Sequence, residues 1–292
     1  MRILLSKLPP SGWWQKGVPK YDDNPAMIRG SIPDLNILES ERSQLISIIK
    51  DAGHEVFELD FPQVLDRDNP KHDFIFIRDP FISDQNGTAI ILRAGEPSRR
   101  LENEIIKSSL ETLEMNILQM PDRRGLRADG GEFYYCAKEK ILFSGLQRNT
   151  INGADYVAGA LNVEEMVLLQ GEGFHLDTFF TPCINNKGEI AALIICNKLL
   201  TDNSKKHLYQ FADNRGIHVF DIPKKDAIGT INNIGTFAAN ALPLPGLLIR
   251  PNYFSDPSID EKLIDLGINI TITPTSQFQL SGGSIHCITN EI

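Results

Sequence analysis

The sequence predicts an α/β fold built from a repeated unit of two strands, a helix and a third strand. Apolar residues recur at helical spacing in five segments, and a strand-like run follows each segment at once. Paired strand-like runs with a tight turn between them precede most of the segments. The unit recurs about every fifty residues, a period typical of arrays and propellers. An ordinary α/β sheet without internal symmetry is the alternative.

Each predicted helix ends near Gly or Asn, and the strand after it mostly closes on Pro. The helices are predicted over residues 38–53, 101–116, 153–162, 203–216 and 257–267. Among the hairpin signals, FIFIRDPFISD and AIILRA flank the Asn86-Gly87 turn. No linker or low-complexity tract divides the chain, so we expect a single domain over residues 1–292.

The chain of 292 residues holds 38 Asp and Glu against 29 Lys and Arg, a formal net charge of −9. This balance disfavours nucleic acid as a partner, because phosphate binding requires a basic surface. The longest apolar run, residues 190–196, is far too short to span a bilayer, and the first residues lack the apolar stretch of a signal peptide. We therefore expect a cytoplasmic protein without a membrane partner. The sequence does not determine the oligomeric state and is compatible with a homo-oligomer.

Four cysteines have no C-x-x-C spacing, so the sequence predicts neither a disulfide framework nor a zinc site. Cys287 differs from the others because it follows His286 in SGGSIHC, behind two glycines that let the backbone approach a ligand. A buried structural cysteine is the commoner fate of a free thiol. We interpret Cys287 as a catalytic nucleophile on a strand, which would place His286 on the opposite face.

Four further segments carry polar side chains at the edges of predicted strands: FIRDP (76–80), ADGGEF (128–133), GLQRN (145–149) and FHLD (174–177). His175 is a candidate acid and base near neutral pH, and in a strand it would share a face with Asp177. Asp79 and Asp129 add carboxylates, although an acid beside two glycines is also typical of a plain turn. Carboxylates can bind a planar guanidinium while a thiol attacks its central carbon.

On these segments, in this order along nearly the whole chain, the sequence resembles the guanidino-group-modifying enzymes of the pentein fold, a five-bladed α/β-propeller. The superfamily includes dimethylarginine dimethylaminohydrolases, arginine deiminases, arginine dihydrolases and arginine:glycine amidinotransferases. The resemblance implies that Cys287 forms a covalent intermediate, with His175 as general acid and then base. It implies that Asp129 orients His175, from a DGGE segment where the family has E/D-G-G-D. It implies neither a metal nor a cofactor.

The resemblance also implies a small cationic guanidino substrate, with Asp79 and Asp177 binding the guanidinium nitrogens and Arg93 and Arg148 holding the α-carboxylate. Signals within the superfamily conflict. The acid two residues after His175 is unlike dimethylargininases, the intact FIRDP is unlike dihydrolases, and the length is short for arginine deiminases. We expect an amidinohydrolase that releases citrulline from arginine or an Nω-methylated arginine. The alternatives are an amidinotransferase, an arginine dihydrolase, or an arginine-analogue-binding protein without turnover.

Residues 9–36 form a long irregular stretch that contains both tryptophans, Trp13 and Trp14. A loop of this length is uncommon unless it is functional or disordered, and its aromatic residues argue against disorder. We expect a lid over the site, with tryptophans that become less exposed when substrate binds.

Overall fold

The structure, a computed structural model, describes residues 1–20, 24, 26–67, 70–230 and 232–292. The apolar spacing that predicts helices is realised in this part of the chain. Asp34, Thr150 and Thr201 begin three helices by accepting hydrogen bonds from N–H groups of the first turn. The helices are α1 (Leu35–Asp51), α2 (Glu102–Thr112), α3 (Ile151–Ala160), α4 (Asp202–Arg215) and α5 (Ser258–Asp265).

The strands are short, and most alternate with the helices as the sequence predicts. In chain order the strands of the described residues are β1 (Arg2–Ser6), β2 (Glu55–Leu59), β3 (Phe81–Ser83), β4 (Thr88–Ile91), β5 (Asn116–Gln119), β6 (Phe133–Cys136), β7 (Ile141–Gly145), β8 (Glu165–Leu169), β9 (Phe180–Ile184), β10 (Ile190–Ile195), β11 (His218–Asp221), β12 (Gly229–Thr230), β13 (Asn233–Ile234), β14 (Leu242–Leu244), β15 (Leu247–Arg250), β16 (Asn269–Ile272) and β17 (Asn290–Glu291).

The described strands form five three-stranded sheets of one topology and a small ribbon of β12 and β13. In each larger sheet two strands pair antiparallel, and a third strand, reached through a helix, pairs parallel with one of them. Four of these sheets are β3-β4-β5, β6-β7-β8, β9-β10-β11 and β14-β15-β16. The α/β fold and its repeated unit are therefore present. Closure of the five sheets into a propeller stays a prediction.

The remaining three-stranded sheet joins the two ends of the chain. β17 pairs antiparallel with β1, with Leu4 opposite Asn290, and β2 pairs parallel with β1 after α1. The prediction that Cys287 lies on a strand is therefore wrong. A 3-10 helix, Phe278–Ser281, comes first, residues 285–288 form a turn, and the strand that follows belongs to the sheet of β1.

Two other polar segments lie outside strands as well. FIRDP follows a 3-10 helix, His72–Ile75, and forms a turn that ends where β3 begins. FHLD leads into the 3-10 helix Leu176–Thr178. The prediction that His175 and Asp177 share a strand face is wrong, because His175 begins this 3-10 helix and Asp177 lies within it.

Apolar residues of the irregular segment over residues 9–36 pack into the core, although residues 21–23 and 25 lie outside the described residues. Trp13 is fully buried, and its indole N–H donates to the carbonyl of His72 at 3.0 Å. Trp14 is only 6% exposed. The expectation that Trp13 becomes less exposed on binding is therefore wrong, because no exposed surface is left. None of the helices in the described part of the chain is long and apolar enough to cross a bilayer.

Candidate active site

A cavity of about 90 Å³ brings together the side chains that the sequence singles out in separate segments. Cys287, His175, Asp79, Asp129 and Arg148 all line it. Acidic side chains outnumber arginines among the lining residues, which favours a cationic ligand. A larger cavity of about 280 Å³ is lined by His286. We assign the site to the smaller cavity because it holds the thiol, the imidazole and the carboxylates.

The thiol of Cys287 lies in the turn of residues 285–288 and is 5% exposed. It donates to Asp177 Oδ2 at 3.3 Å and accepts from Asn240 Nδ2 at 3.2 Å. Burial raises the pKa of Cys287 well above its ordinary value, and the negative charges of Asp177 and Asp79 raise it further. The resting form is therefore the neutral thiol.

His175 lies between two carboxylates. Its Nε2 is 3.3 Å from Asp129 Oδ2, and its Nδ1 is 3.8 Å from Asp79 Oδ1. Burial alone would lower the pKa of His175, but Asp79 and Asp129 outweigh it and raise the pKa to about 9. The ring is thus an imidazolium at neutral pH. Gly95 N–H donates to Asp129 Oδ1 at 2.7 Å, which holds that carboxylate in place.

The glycine pair after Asp129 has a steric reason. A Cβ on Gly131 would lie 2.5 Å from His175 Nδ1 and 3.1 Å from Asp79 Oδ1. A Cβ on Gly130 would collide with the carbonyl oxygen of Arg78. The DGGE segment therefore lets an imidazole and a second acid approach its backbone closely, which a plain surface turn would not require.

Glu132, which the sequence reasoning did not select, ties three of the polar segments together. Its Oε1 accepts from Arg148 N at 2.6 Å, and its Oε2 accepts from Leu176 N at 2.9 Å. Burial raises the pKa of Glu132 to about 7. Its place at the end of the DGGE segment was the signal available in the sequence. A buried acid needs hydrogen-bond donors, and these two N–H groups supply them.

Asn240 was also missed, and its surroundings in ANALPLPG carry no catalytic pattern. It is fully buried, and its Nδ2 donates to the carbonyl of Asp177 at 3.0 Å and to the thiol. Its Oδ1 accepts from His286 N at 3.0 Å. A single amide thereby fixes the Cys287 turn against the segment that carries Asp177.

Arg99, in the PSRR stretch, is a further residue of the cavity that was not selected. Its Nη1 donates to Asp79 Oδ2 at 2.9 Å, and its Nε donates to Glu102 at 2.5 Å. The other oxygen of Asp79, Oδ1, has no hydrogen-bond partner among the described residues. Asp79 therefore keeps one acceptor available beside His175.

Asp177 is fully buried and is not one of the residues that line the cavity. Its Oδ2 is 2.8 Å from His286 Nδ1 and also accepts from Cys287, so the prediction that these neighbours face opposite ways is wrong. In the observed turn both side chains reach the same carboxylate. Burial would raise the pKa of Asp177, but the hydrogen bond from His286 lowers it overall. Its Oδ1 has no hydrogen-bond partner among the described residues.

The two arginines predicted to hold a carboxylate have different surroundings. The guanidinium of Arg148 lies over the ring of Phe174, 4.2 Å from its centroid, and lines the cavity. Arg93 pairs with Asp122 and donates to the carbonyl of Leu126 at 3.1 Å. It is not one of the residues that line the cavity. The structure therefore brings Arg148 to the site and leaves Arg93 outside it.

The fold and the site define a class: an α/β repeat protein with a buried thiol, an imidazolium and several carboxylates around one cavity. No family model matches the chain. Solved structures do match it. The chain is similar to the cyanobacterial arginine dihydrolase ArgZ, with 21% identity and a TM-score of 0.78, over 99% of this chain and 40% of that protein. The N-terminal domain of ArgZ, covalently bound to a reaction intermediate, matches at 20% identity and a TM-score of 0.77, over 99% and 96%.

A dimethylarginine dimethylaminohydrolase adduct matches at 16% identity and a TM-score of 0.71, over 100% of this chain and 99% of that enzyme. The structures that the chain resembles are thus an arginine dihydrolase and a dimethylarginine dimethylaminohydrolase, two of the enzymes named in the sequence resemblance. The chain has the α/β fold of these proteins. It spans 40% of the ArgZ chain in the apo structure and 39% of the chain of unliganded AgrE.

Proposed function

We propose that the protein is a cysteine-dependent amidinohydrolase. Its substrate is arginine or an Nω-methylated arginine, and its products are citrulline and ammonia or an amine. The observation that carries the proposal is the cavity in which Cys287 and His175 lie together with Asp79 and Asp129. The likeness to guanidino-modifying enzymes in fold supports the same chemistry.

The cavity suits a guanidinium. Asp79 Oδ1 lacks a hydrogen-bond partner among the described residues and can accept an N–H from the substrate. Asp177 accepts a hydrogen bond from the thiol, and its negative charge attracts the cation. Arg148 is the arginine placed to hold an α-carboxylate at the other end of the substrate.

The bound cation activates the nucleophile. The resting thiol is protonated because burial and two carboxylates disfavour the thiolate. A guanidinium held beside Cys287 compensates these negative charges and lowers the pKa of the thiol. The thiol then loses its proton to solvent, and the nucleophile forms only when substrate is present.

His175 accounts for the remaining protons. The thiolate attacks the guanidinium carbon, a C–S bond forms, and the imidazolium of His175 protonates the leaving nitrogen as the C–N bond breaks. The neutral imidazole then takes a proton from water, whose oxygen attacks the amidino carbon. As the C–S bond breaks, the hydroxyl proton of this adduct passes to the sulfur, which releases the ureido product and restores the resting thiol. Asp129, 3.3 Å from Nε2, stabilises the imidazolium and orients the ring.

The remaining parts of the proposal concern the whole chain. Residues 1–292 form one catalytic domain, and the five sheets close into a five-bladed propeller. The protein acts in the cytoplasm without a metal or organic cofactor. The sheet that joins β1 to β17 supports closure, because it links the two ends of the described chain.

Two related reactions are alternatives. An arginine dihydrolase would hydrolyse the ureido product again and release ornithine, and ArgZ, which shares the fold, is such an enzyme. An amidinotransferase would pass the amidino group from Cys287 to an amine instead of water. Both use the same covalent intermediate, so product analysis separates them from the main proposal.

The test is a colorimetric ureido assay on arginine and on mono- and dimethylated arginines, with wild type and Cys287→Ser. We expect citrulline from wild type and none from the variant, which keeps the size of the side chain. Ornithine in place of citrulline would favour the dihydrolase, and turnover that requires an added amine would favour the transferase. Binding of a guanidino compound without any product would favour an arginine-analogue-binding protein without turnover.

A further inference from the structure

His286 lies beside the catalytic thiol in sequence but borders a different cavity. It lines the larger cavity of about 280 Å³, whereas its sequence neighbour Cys287 lines the smaller one. Between them lies the carboxylate of Asp177, which is fully buried. Its Oδ2 is 2.8 Å from His286 Nδ1 and 3.3 Å from Cys287 Sγ, so one oxygen accepts hydrogen bonds from both side chains.

The position of the ring proton on His286 follows from its contacts. A carboxylate can only accept, so the ring nitrogen beside Asp177, Nδ1, carries the proton. Burial and the Arg78 cation lower the pKa of His286 despite Asp177, so the ring is neutral at pH 7. Nε2 is then a lone-pair acceptor, and it has no hydrogen-bond partner among the described residues. Tyr134 stacks on the ring, with centroids 4.2 Å apart, and fixes its plane.

We propose that His286 is a positioning residue that holds the Asp177 carboxylate and, through it, sets the charge state of the Cys287 thiol. A bare carboxylate beside a thiol disfavours the thiolate by like-charge repulsion. The Nδ1–H of His286 takes up part of that negative charge and keeps Oδ2 within hydrogen-bond distance of both side chains. None of the proposed catalytic steps involves His286 directly.

Other charged groups also face these two side chains. Asp79 acts on the thiol, and the amide of Asn240 donates to it. Arg78 and Glu291 form an ion pair at 2.6 Å, and both act on His286. Substitution at His286 leaves all of these groups in place. The difference between two variants at this position therefore isolates the hydrogen bond to Asp177.

The experiment uses three variants of His286. His286→Asn keeps an N–H donor where Nδ1 lies, whereas His286→Phe keeps the ring for Tyr134 and has no donor. His286→Gln places its amide where Nε2 lies, so it serves as a second variant without the Nδ1 donor if the Phe variant fails to fold. The measurement is the rate at which iodoacetamide alkylates Cys287 between pH 7 and 10, followed by mass spectrometry of the peptide that contains it.

We expect His286→Phe and His286→Gln to raise the thiol pKa by about one unit, so that alkylation at a fixed pH below it slows about tenfold. His286→Asn should stay near the wild-type rate. Equal slowing in all three variants, or no slowing in any, would overturn the proposal. Two-bond ¹H–¹⁵N spectra of the wild type provide a check without substitution: a neutral Nδ1–H tautomer is expected, and an Nε2–H tautomer would refute it.

The inference rests on the proposed function only in taking Cys287 as the nucleophile, and its failure is separable. Alkylation reports the charge state of the thiol whether or not a guanidino substrate is turned over. If no substrate gives product and the Phe variant still slows alkylation, the amidinohydrolase proposal fails and the role of His286 stands. If citrulline forms and the Phe variant is alkylated at the wild-type rate, the amidinohydrolase proposal stands and the role of His286 fails.

Discussion

The protonation of His175 offers the most direct test of the site, through the substitution Asp129→Asn. The pKa of His175 is about 9 against an ordinary value of 6.5, although burial acts in the opposite direction. This difference corresponds to about 3 kcal/mol, shared chiefly between Asp79 and Asp129. Asparagine keeps an oxygen for the N–H of Gly95 and removes the charge beside Nε2. We expect the His175 pKa to fall by about 1–3 units.

Spectra of ¹⁵N-labelled histidine measure this change directly. The chain has six histidines, and His175→Gln identifies the signal by its loss. The pH dependence of turnover should move with the midpoint, because His175 must carry a proton to release the amine. A His175 midpoint that stays near 9 in Asp129→Asn would show that Asp129 does not stabilise the imidazolium, and the reasoning would fail.

The raised pKa of His175 also makes the free energy of unfolding depend on pH. Because the pKa of His175 is raised by folding, its contribution is complete below the unfolded value of 6.5 and is lost as the pH rises through about 9. The free energy of unfolding of the wild type should therefore decrease over this window by up to about 3 kcal/mol. Urea denaturation of wild type and Asp129→Asn at both ends of the window checks this. The variant should show the smaller decrease.

Three further predictions concern the glycine, the arginines and the amide. Gly131→Ala places a methyl group 2.5 Å from Nδ1 of His175, and turnover should drop about a hundredfold while alkylation of Cys287 is unchanged; normal turnover would contradict the close approach. Arg148→Ala should raise the KM for arginine about tenfold or more but not that for its decarboxylated analogue agmatine, and Arg93→Ala, the matched control, should change neither. Asn240→Leu removes the donor to the thiol and should slow alkylation about tenfold; an unchanged rate would show that this bond does not support the thiolate.

Much of the fold could be read from local patterns, because each repeated unit is assembled from neighbours in sequence. The helix predicted over residues 203–216 is observed as Asp202–Arg215, and the strand after it is present. Helical spacing and glycine stops are properties of a few adjacent residues, so they are visible without a tertiary structure. The same holds for the hairpin at Asn86-Gly87, which joins β3 to β4.

The backbone of the site itself was harder to predict. SGGSIHC and FHLD were taken as strand ends, but both form helical turns, in which neighbours do not alternate between faces. This is why Cys287 and His286 reach the same carboxylate. Gly-rich polar segments have no strong local preference, so their geometry depends on what packs against them.

The sequence by itself determined the repeated α/β unit and the choice of thiol, imidazole and acids, because these are matters of residue type and spacing. Only the tertiary structure decided their pairing. It placed Asp177 against the thiol, brought Arg148 to the cavity while leaving Arg93 outside, and added Asn240 from a segment without any chemical signature. The physical reason is distance along the chain. Cys287 and Asp177 are separated by 110 positions, and no local preference connects residues so far apart.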